Sequence, residues 1–179
     1  MPTCTSDDAT IHIYTYKAGL LSAVGHDLLL RVAGFSVDID PDEPAIRATF
    51  DPRTIEVINA VSGETEKPGA LSADDRKTIQ GYIHKDILNV SRHPSIAFES
   101  TDVFEEDGEW EIEGDLTLHG TTRSITLTAE ADDEMVCGEF VLNQPAFGIK
   151  PFSAMMGALK IKPDVRLVVR VPVAALLGE

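Results

Sequence analysis

The stretch Trp110-Glu-Ile-Glu-Gly-Asp-Leu-Thr-Leu118 sets Trp110, Ile112, Leu116 and Leu118 at alternate positions, with Glu111, Glu113, Asp115 and Thr117 between them. A period of two is that of an extended strand with one dry face and one wet face. The same pattern continues on both sides. Before it, Ile96, Phe98 and Phe104 alternate with Glu99 and Thr101, and Asp107-Gly108 is the dipeptide of a tight hairpin turn. After it, His119-Gly120 makes a second turn into Ile125, Leu127 and Ala129, which alternate with Ser124, Thr126 and Thr128. These pieces predict three strands of a meander.

Further strands are predicted over Met135 to Asn143, with Phe140 and Leu142 in register, and over Val165 to Val173, where Val165, Leu167, Val169, Val171 and Val173 alternate with Arg166 and Arg170. In the first third, Ile11 and Ile13, then Ile46, Ala48 and Phe50, then Ile55 and Val57 repeat the alternation. Leu28, Leu30 and Val32 stand at even positions while Phe35, Val37 and Ile39 stand at odd ones, so the register changes at Ala33-Gly34. A bulge or sharp bend at that glycine keeps both sets on one side of the sheet and turns a barrel corner.

One segment, around 72–87, reads as helical. Ser72 caps it with Asp75 three residues on, Ile79, Tyr82, Ile83 and Ile87 recur at helical spacing, and Pro94 stops it. About eight strands with one amphipathic helix beside them make a mainly β domain that closes into an antiparallel barrel, because closure removes exposed edges. The predicted organisation is a disordered tail over residues 1–8 and a single domain over 9–179. Cys4 falls in that tail and Cys137 in the packed part, so the two cysteines give no disulfide framework.

Fifteen Lys and Arg against thirty Asp and Glu give a formal net charge of -15, which argues against nucleic acid and against anionic lipid surfaces as partners. No run of about 18 apolar residues is present, so no spanning helix is expected. Met1 to Thr10 has neither a basic start nor an apolar run, so no signal peptide is read there and the expected location is cytoplasmic. The five histidines, His12, His26, His84, His93 and His119, lack metal-ligand spacing, and neither a phosphate-binding glycine loop nor a nucleophile elbow occurs. No metal and no cofactor are expected.

Two passages invite function. His26-Asp27 interrupts the apolar run Gly19 to Val32; it is a hydrogen-bonded pair at a strand start, a polar contact for a ligand head group, or the acid-base pair of an enzyme. The stretch Ala146 to Leu159, with Met155 and Met156, is too apolar for a surface loop and too broken for a helix, so it is a buried plug, a dimer contact or an adaptable lid.

Four segments carry a resemblance: Gly25-His26-Asp27 after Lys17-Ala-Gly-Leu, Ile87-Leu-Asn-Val-Ser-Arg-His-Pro-Ser-Ile-Ala-Phe-Glu-Ser100, Gly114-Asp-Leu-Thr-Leu-His-Gly-Thr-Thr-Arg123, and Phe147-Gly148-Ile149. In their order and spacing they resemble the YceI-like family over nearly the whole chain. The resemblance implies an extended, lipocalin-like antiparallel barrel with a helix beside it. Inside lies a long apolar tunnel for a polyisoprenoid, isoprenoid quinone or fatty-chain ligand, often in a homodimer of bacterial origin, with no enzymatic activity established for the family as a class. The apolar registers name the lining: Leu28, Leu30, Phe35, Val37, Phe50, Phe98, Leu116, Leu118, Phe140 and Leu142. Phe147, Met155 and Met156 are placed near an end, with His26 as the polar contact. The expected function is to bind, store or transport that ligand without catalysis. The competing readings are a barrel enzyme using His26 and Asp27, and an interaction module whose barrel is filled.

Overall fold

The alternating segments pair into antiparallel ladders in a computed structural model that describes residues 3–20, 22–40, 42–43 and 45–177. The strands of the first half are β1 (Thr3–Thr5), β2 (Thr10–Thr15), β3 (Lys17–Ala18), β4 (Asp27–Val32), β5 (Phe35–Asp40), β6 (Ala45–Phe50), β7 (Ile55–Ser62) and β8 (Thr65–Glu66). Those of the second half are β9 (Ile96–Glu106), β10 (Glu109–Leu118), β11 (Thr121–Ala131), β12 (Met135–Asn143), β13 (Ser153–Ala154), β14 (Leu159–Ile161) and β15 (Asp164–Pro172). Helix α1 (Ala73–Tyr82) lies between the halves and α2 (Val173–Leu177) follows the last strand. Twelve strands form one sheet in the order β1-β5-β6-β9-β10-β11-β12-β15-β2-β4-β7-β8, and β13-β14-β3 form a small second sheet.

The two ends of that order are the same chain. β4 runs through Ala33-Gly34 into β5, and β6 runs through Asp51 to Thr54 into β7, so Val32 pairs with Ile55 on one side of the corner and Phe35 with Phe50 on the other. Two long bent strands thereby join both edges and the sheet closes into a barrel. Taking each bent pair as one strand, and setting aside the short edges β1 and β8, recovers the expected count of about eight. The corner is fastened by one side chain. Thr54 Oγ1 accepts from the Gly34 N–H at 2.7 Å and donates to the Asp51 carbonyl at 2.7 Å, while Asp51 N–H donates to the Gly34 carbonyl at 2.8 Å. A Cβ on residue 34 would sit 2.8 Å from Thr54 Cγ2, so glycine is required there by close approach.

The hairpins are those expected. Asp107-Gly108 (φ 54° and 83°) and His119-Gly120 (φ 52° and 74°) both take the left-handed conformations of a tight two-residue turn. The helix also begins as expected: the Ser72 hydroxyl caps the Asp75 N–H at 3.0 Å and the Asp75 carboxylate accepts from Ser72 N–H at 2.9 Å. It ends in a π turn over Ile83–Ile87. The helix lies beside the barrel against β7 and adds Ile79, Tyr82, Ile83 and Ile87 to its inner wall. Gln80 Oε1 accepts from the Val57 N–H at 3.2 Å and the His84 ring meets the Ile55 carbonyl at 2.9 Å, so side chains of the helix satisfy the edge of β7.

The disordered tail over residues 1–8 does not hold for its described part. Cys4 is 2% exposed and pairs with Val37 as β1 adds to β5, because the Thr-Cys-Thr alternation puts the thiol on the dry face. Residues 1 and 2, and 178 and 179 at the other end, lie outside the described residues. A second, outward-facing apolar cluster of Tyr14, Leu29, Val61 and Val168 is roofed by Arg166, whose guanidinium lies 4.6 Å from the Tyr14 ring centroid and pairs with Glu64 and Glu139.

Replacing Thr54 with valine keeps the shape and deletes both corner hydrogen bonds. We expect a loss of about 2 kcal/mol in urea unfolding, since the Gly34 N–H and Asp51 carbonyl lose a partly buried partner. An unchanged midpoint would show that the corner is held by packing alone.

Candidate functional site

The inward positions of the strands and the inner stripe of the helix enclose a cavity of about 540 Å³. Such a volume is that of a small-molecule site. From β4, β5, β6, β9, β10 and β12 respectively come Leu28 and Leu30, Val37, Phe50, Phe98, Leu116 and Leu118, and Phe140 and Leu142, and His26 reaches the same space from the turn before β4. These are the residues named from the sequence. Four others named there lie elsewhere. Phe35 is buried at the corner with its ring centroid 6.4 Å from that of Phe50, and Phe147 is buried in the turn Gln144–Phe147; neither lines the cavity. Met155 and Met156 are exposed on the tip between β13 and β14. Met155, Met156 and Gly157 take φ of 51°, 54° and 86° in succession, and this left-handed run turns the tip outward, so it is no plug.

Sequence reasoning missed the contribution of the helix and of the polar end. Ile79, Tyr82, Ile83 and Ile87 line the cavity, and their helical spacing was the available signal. Trp110 and Ile112 do so as well, sharing the face of Leu116 and Leu118. Gly114 is on that face too. There the ladder with β9 shifts register, and a Cβ would run into the Phe98 ring and stand 2.6 Å from the Glu99 carbonyl oxygen, so the missing side chain lets Phe98 lie flat across the strand.

The polar groups of the lining gather mainly at one end, where Thr15, Lys17, Gly25, His26 and Gln144 meet. Thr15 Oγ1 is buried with no hydrogen-bond partner in the protein, and Lys17 Nζ donates to the Gly25 carbonyl at 3.3 Å. Asp27 Oδ1 accepts from the Lys17 backbone N–H at 2.8 Å, which is the work of a strand-start clasp, while His26 is exposed at the rim. At the other end the Trp110 indole N–H is buried and also unpartnered. Among the described residues no three His, Cys, Asp or Glu side chains converge as a metal site would require, and no helix is long and apolar enough to cross a membrane. Chemically, the space accepts an apolar chain with polar matter at its end.

A third grouping joins the quoted sequence segments. The rings of His93 and His119 lie 4.3 Å apart between centroids, the residue at Gly120 is hemmed in by His93, and Arg123 donates to the Ala146 carbonyl just before Phe147-Gly148. Desolvation first, then the facing His119 and Arg92, hold the His93 imidazole below its usual range. Desolvation first, then Arg170 and Arg31, do the same for His12 on β2.

A closed antiparallel barrel with a hollow apolar interior and polar groups collected at one end defines the class of this protein as a lipocalin-like barrel. The model of the YceI-like domain matches residues 22–173, and the chain belongs to that family. It is 32% identical over 84 residues to a UPF0312 protein of Vibrio cholerae, a match that covers 46% of this chain and 43% of that one. It is 44% identical over 45 residues to protein YceI of Escherichia coli O157:H7, covering 25% and 24%. The matched stretch thus spans less than half the length of these relatives. Among solved structures, BcnA of Burkholderia cenocepacia superposes with a TM-score of 0.65 at 13% identity, covering 92% of this chain and 96% of that one. The YceI protein of Campylobacter jejuni does so with 0.58 at 13% identity, covering 80% and 82%. These superpositions carry the fold.

The two imidazoles held neutral make an acid-side prediction. Their folded pKa lies below the unfolded value of about 6.5, so the folded state binds fewer protons, and stability falls as pH drops through and below that value. Urea midpoints measured from neutral pH downwards are expected to decline, and the double substitution His12→Gln, His93→Gln to flatten the decline. An identical slope in the variant would remove these residues from the acid response.

Proposed function

We propose that the protein binds one long apolar molecule in the barrel, a polyisoprenoid, an isoprenoid quinone or a fatty-chain lipid, and so stores or transports it. The observation that carries this is the cavity itself, whose wall is apolar from β2 round to β15 and whose polar groups sit at its ends. A filled barrel would have no such space. Burial of a chain contributes about 0.8 kcal/mol per methylene, so about ten methylenes supply about 8 kcal/mol before the cost of association. Few polar contacts are needed for affinity, and those at the Lys17 end fix orientation.

The reading is of a carrier rather than a catalyst. An acid-base pair needs His26 and Asp27 joined, whereas the Asp27 carboxylate is engaged by the Lys17 N–H and the His26 ring stands at the rim.

Native mass spectrometry of the purified protein, with organic extraction of whatever accompanies it, tests this directly. A co-purified isoprenoid or fatty-chain molecule is the expected result; an apo mass that takes up neither polyprenols nor fatty acids on titration would defeat the proposal. Ala129→Phe sharpens it. Ala129 lines the cavity opposite Gly138 in the ladder, close to Trp110, and a ring there occupies empty space. In a polyprenol series of increasing length, the variant is expected to keep the short members and lose the longest by about tenfold or more, at unchanged melting temperature.

A further inference from the structure

The cavity opens at an end built from unlike pieces. β3 pairs with β14, the chain at Gly19 packs so closely on the Ala158 carbonyl that a Cβ could not fit, and Leu159 lies against Gly25. The loop from Gly19 to Gly25 and the tip between β13 and β14 therefore stand side by side. Val24, Gly25, His26, Tyr82, Phe152 and Leu159 all face the cavity there, and the Tyr82 and Phe152 rings are 5.6 Å apart.

Around this mouth the protein exposes apolar side chains that a monomer in water has no reason to expose. Leu20 is 94% exposed, Val24 69% and Met155 68%, and Met156 and Tyr82 are exposed with them. The other large exposed apolar residues among those described, Phe104 and Val141, lie on β9 and β12 and do not line the cavity.

The charge of the same end runs against that of the molecule. With a net charge of -15, the chain carries no acidic residue from Gln144 to Pro163, where Lys150, Lys160 and Lys162 fall, and none from Ala9 to His26, where Lys17 falls. Lys160 is beside the tip, its side chain against Gly157. Two carboxylates of neighbouring elements stand at this end, Asp27, which accepts from the Lys17 N–H, and Asp75, which accepts from Ser72 in the helix cap, and both keep their charge.

We infer that the mouth is a docking surface for an anionic lipid bilayer, with Leu20, Val24, Met155 and Met156 entering the interface and the lysines meeting the head groups. The inference rests on the carrier reading, since a bilayer is where a long apolar ligand would be collected or delivered. Acidic faces of the barrel are turned outward on the other strands, so a single end can approach an anionic surface, and the molecule is thereby oriented with its opening toward the lipid. Apolar insertion and lysine attraction act together, as they do for interfacial helices.

Flotation with phosphatidylcholine vesicles, with and without phosphatidylglycerol, tests this on the full chain. The protein is expected to float with the anionic vesicles, less with the zwitterionic ones, and less as salt rises. Met155→Ser with Met156→Ser is expected to weaken the association by about tenfold or more, and Lys160→Glu with Lys162→Glu to remove the preference for anionic lipid, while Val141→Ser leaves both unchanged. All of these positions are exposed, so the variants are expected to melt as the parent does. No association with either vesicle, or association that the methionine pair does not alter, overturns the inference. So does a dimer in sedimentation equilibrium that the methionine substitutions dissolve, which would give the rim to a second copy. Fluorescence of cis-parinaric acid added from ethanol separates this from the carrier reading. Uptake without flotation defeats docking alone, and flotation without uptake defeats the carrier alone.

Discussion

The hydroxyl of Thr54, held between the Gly34 amide and the Asp51 carbonyl, fixes the place where two strands leave one edge of the sheet and enter the other. Without that corner β4 would end as an edge and β5 would begin another sheet. With it, the inward face of every major strand looks onto one space, and the apolar residues of β2, β4, β10, β12 and β15 become a lining instead of one side of a sandwich. The small groups follow from the same demand. Gly34 admits the threonine, and Gly114 admits the flat Phe98 ring at a register shift, so the wall bends where a side chain is absent.

Most of this was legible because period-two alternation survives burial. β10 could be placed, with its inner and outer faces, from its own nine letters. The helix start was legible from Ser72 and Asp75, and the corner from the change of parity at Ala33-Gly34, since only a bend reconciles even and odd apolar positions. What could not be read depended on partners distant in sequence. Cys4 has three residues of alternation, too few to distinguish a strand from a tail, and its burial is decided by Val37. Phe35 and Phe50 have equal claims from pattern, yet one turns into the corner and the other toward the cavity. Met155 and Met156 look like a plug by composition; only the left-handed backbone beside Gly157 sends them out. The family segments were legible as motifs, but that two of their histidines, His93 and His119, meet with rings tilted by 45° is a fact of the fold that brings the segments together.

Composition also averages over unlike regions. A total of -15 describes the far field, and it is correct for the outward faces of β9 and β10, where Glu and Asp alternate with the lining residues. It does not describe the end of the barrel where acidic residues are missing from two long stretches that pair with each other through β3 and β14. At distances shorter than a Debye length a partner meets that local distribution and not the sum.

The thiol of Cys4 is enclosed between β5 and the barrel floor, with burial first and then the nearby Asp8 raising it above its ordinary range, and Cys137 on β12 is likewise free. A buried thiol held protonated is a poor nucleophile, and no strand here is tied to another by sulfur. The architecture is consequently indifferent to redox potential. The same barrel has no bridge to lose in a reducing medium, and among the described residues Met155 and Met156 stand exposed at the mouth, where a sulfoxide would make the rim more polar without disturbing the barrel behind it.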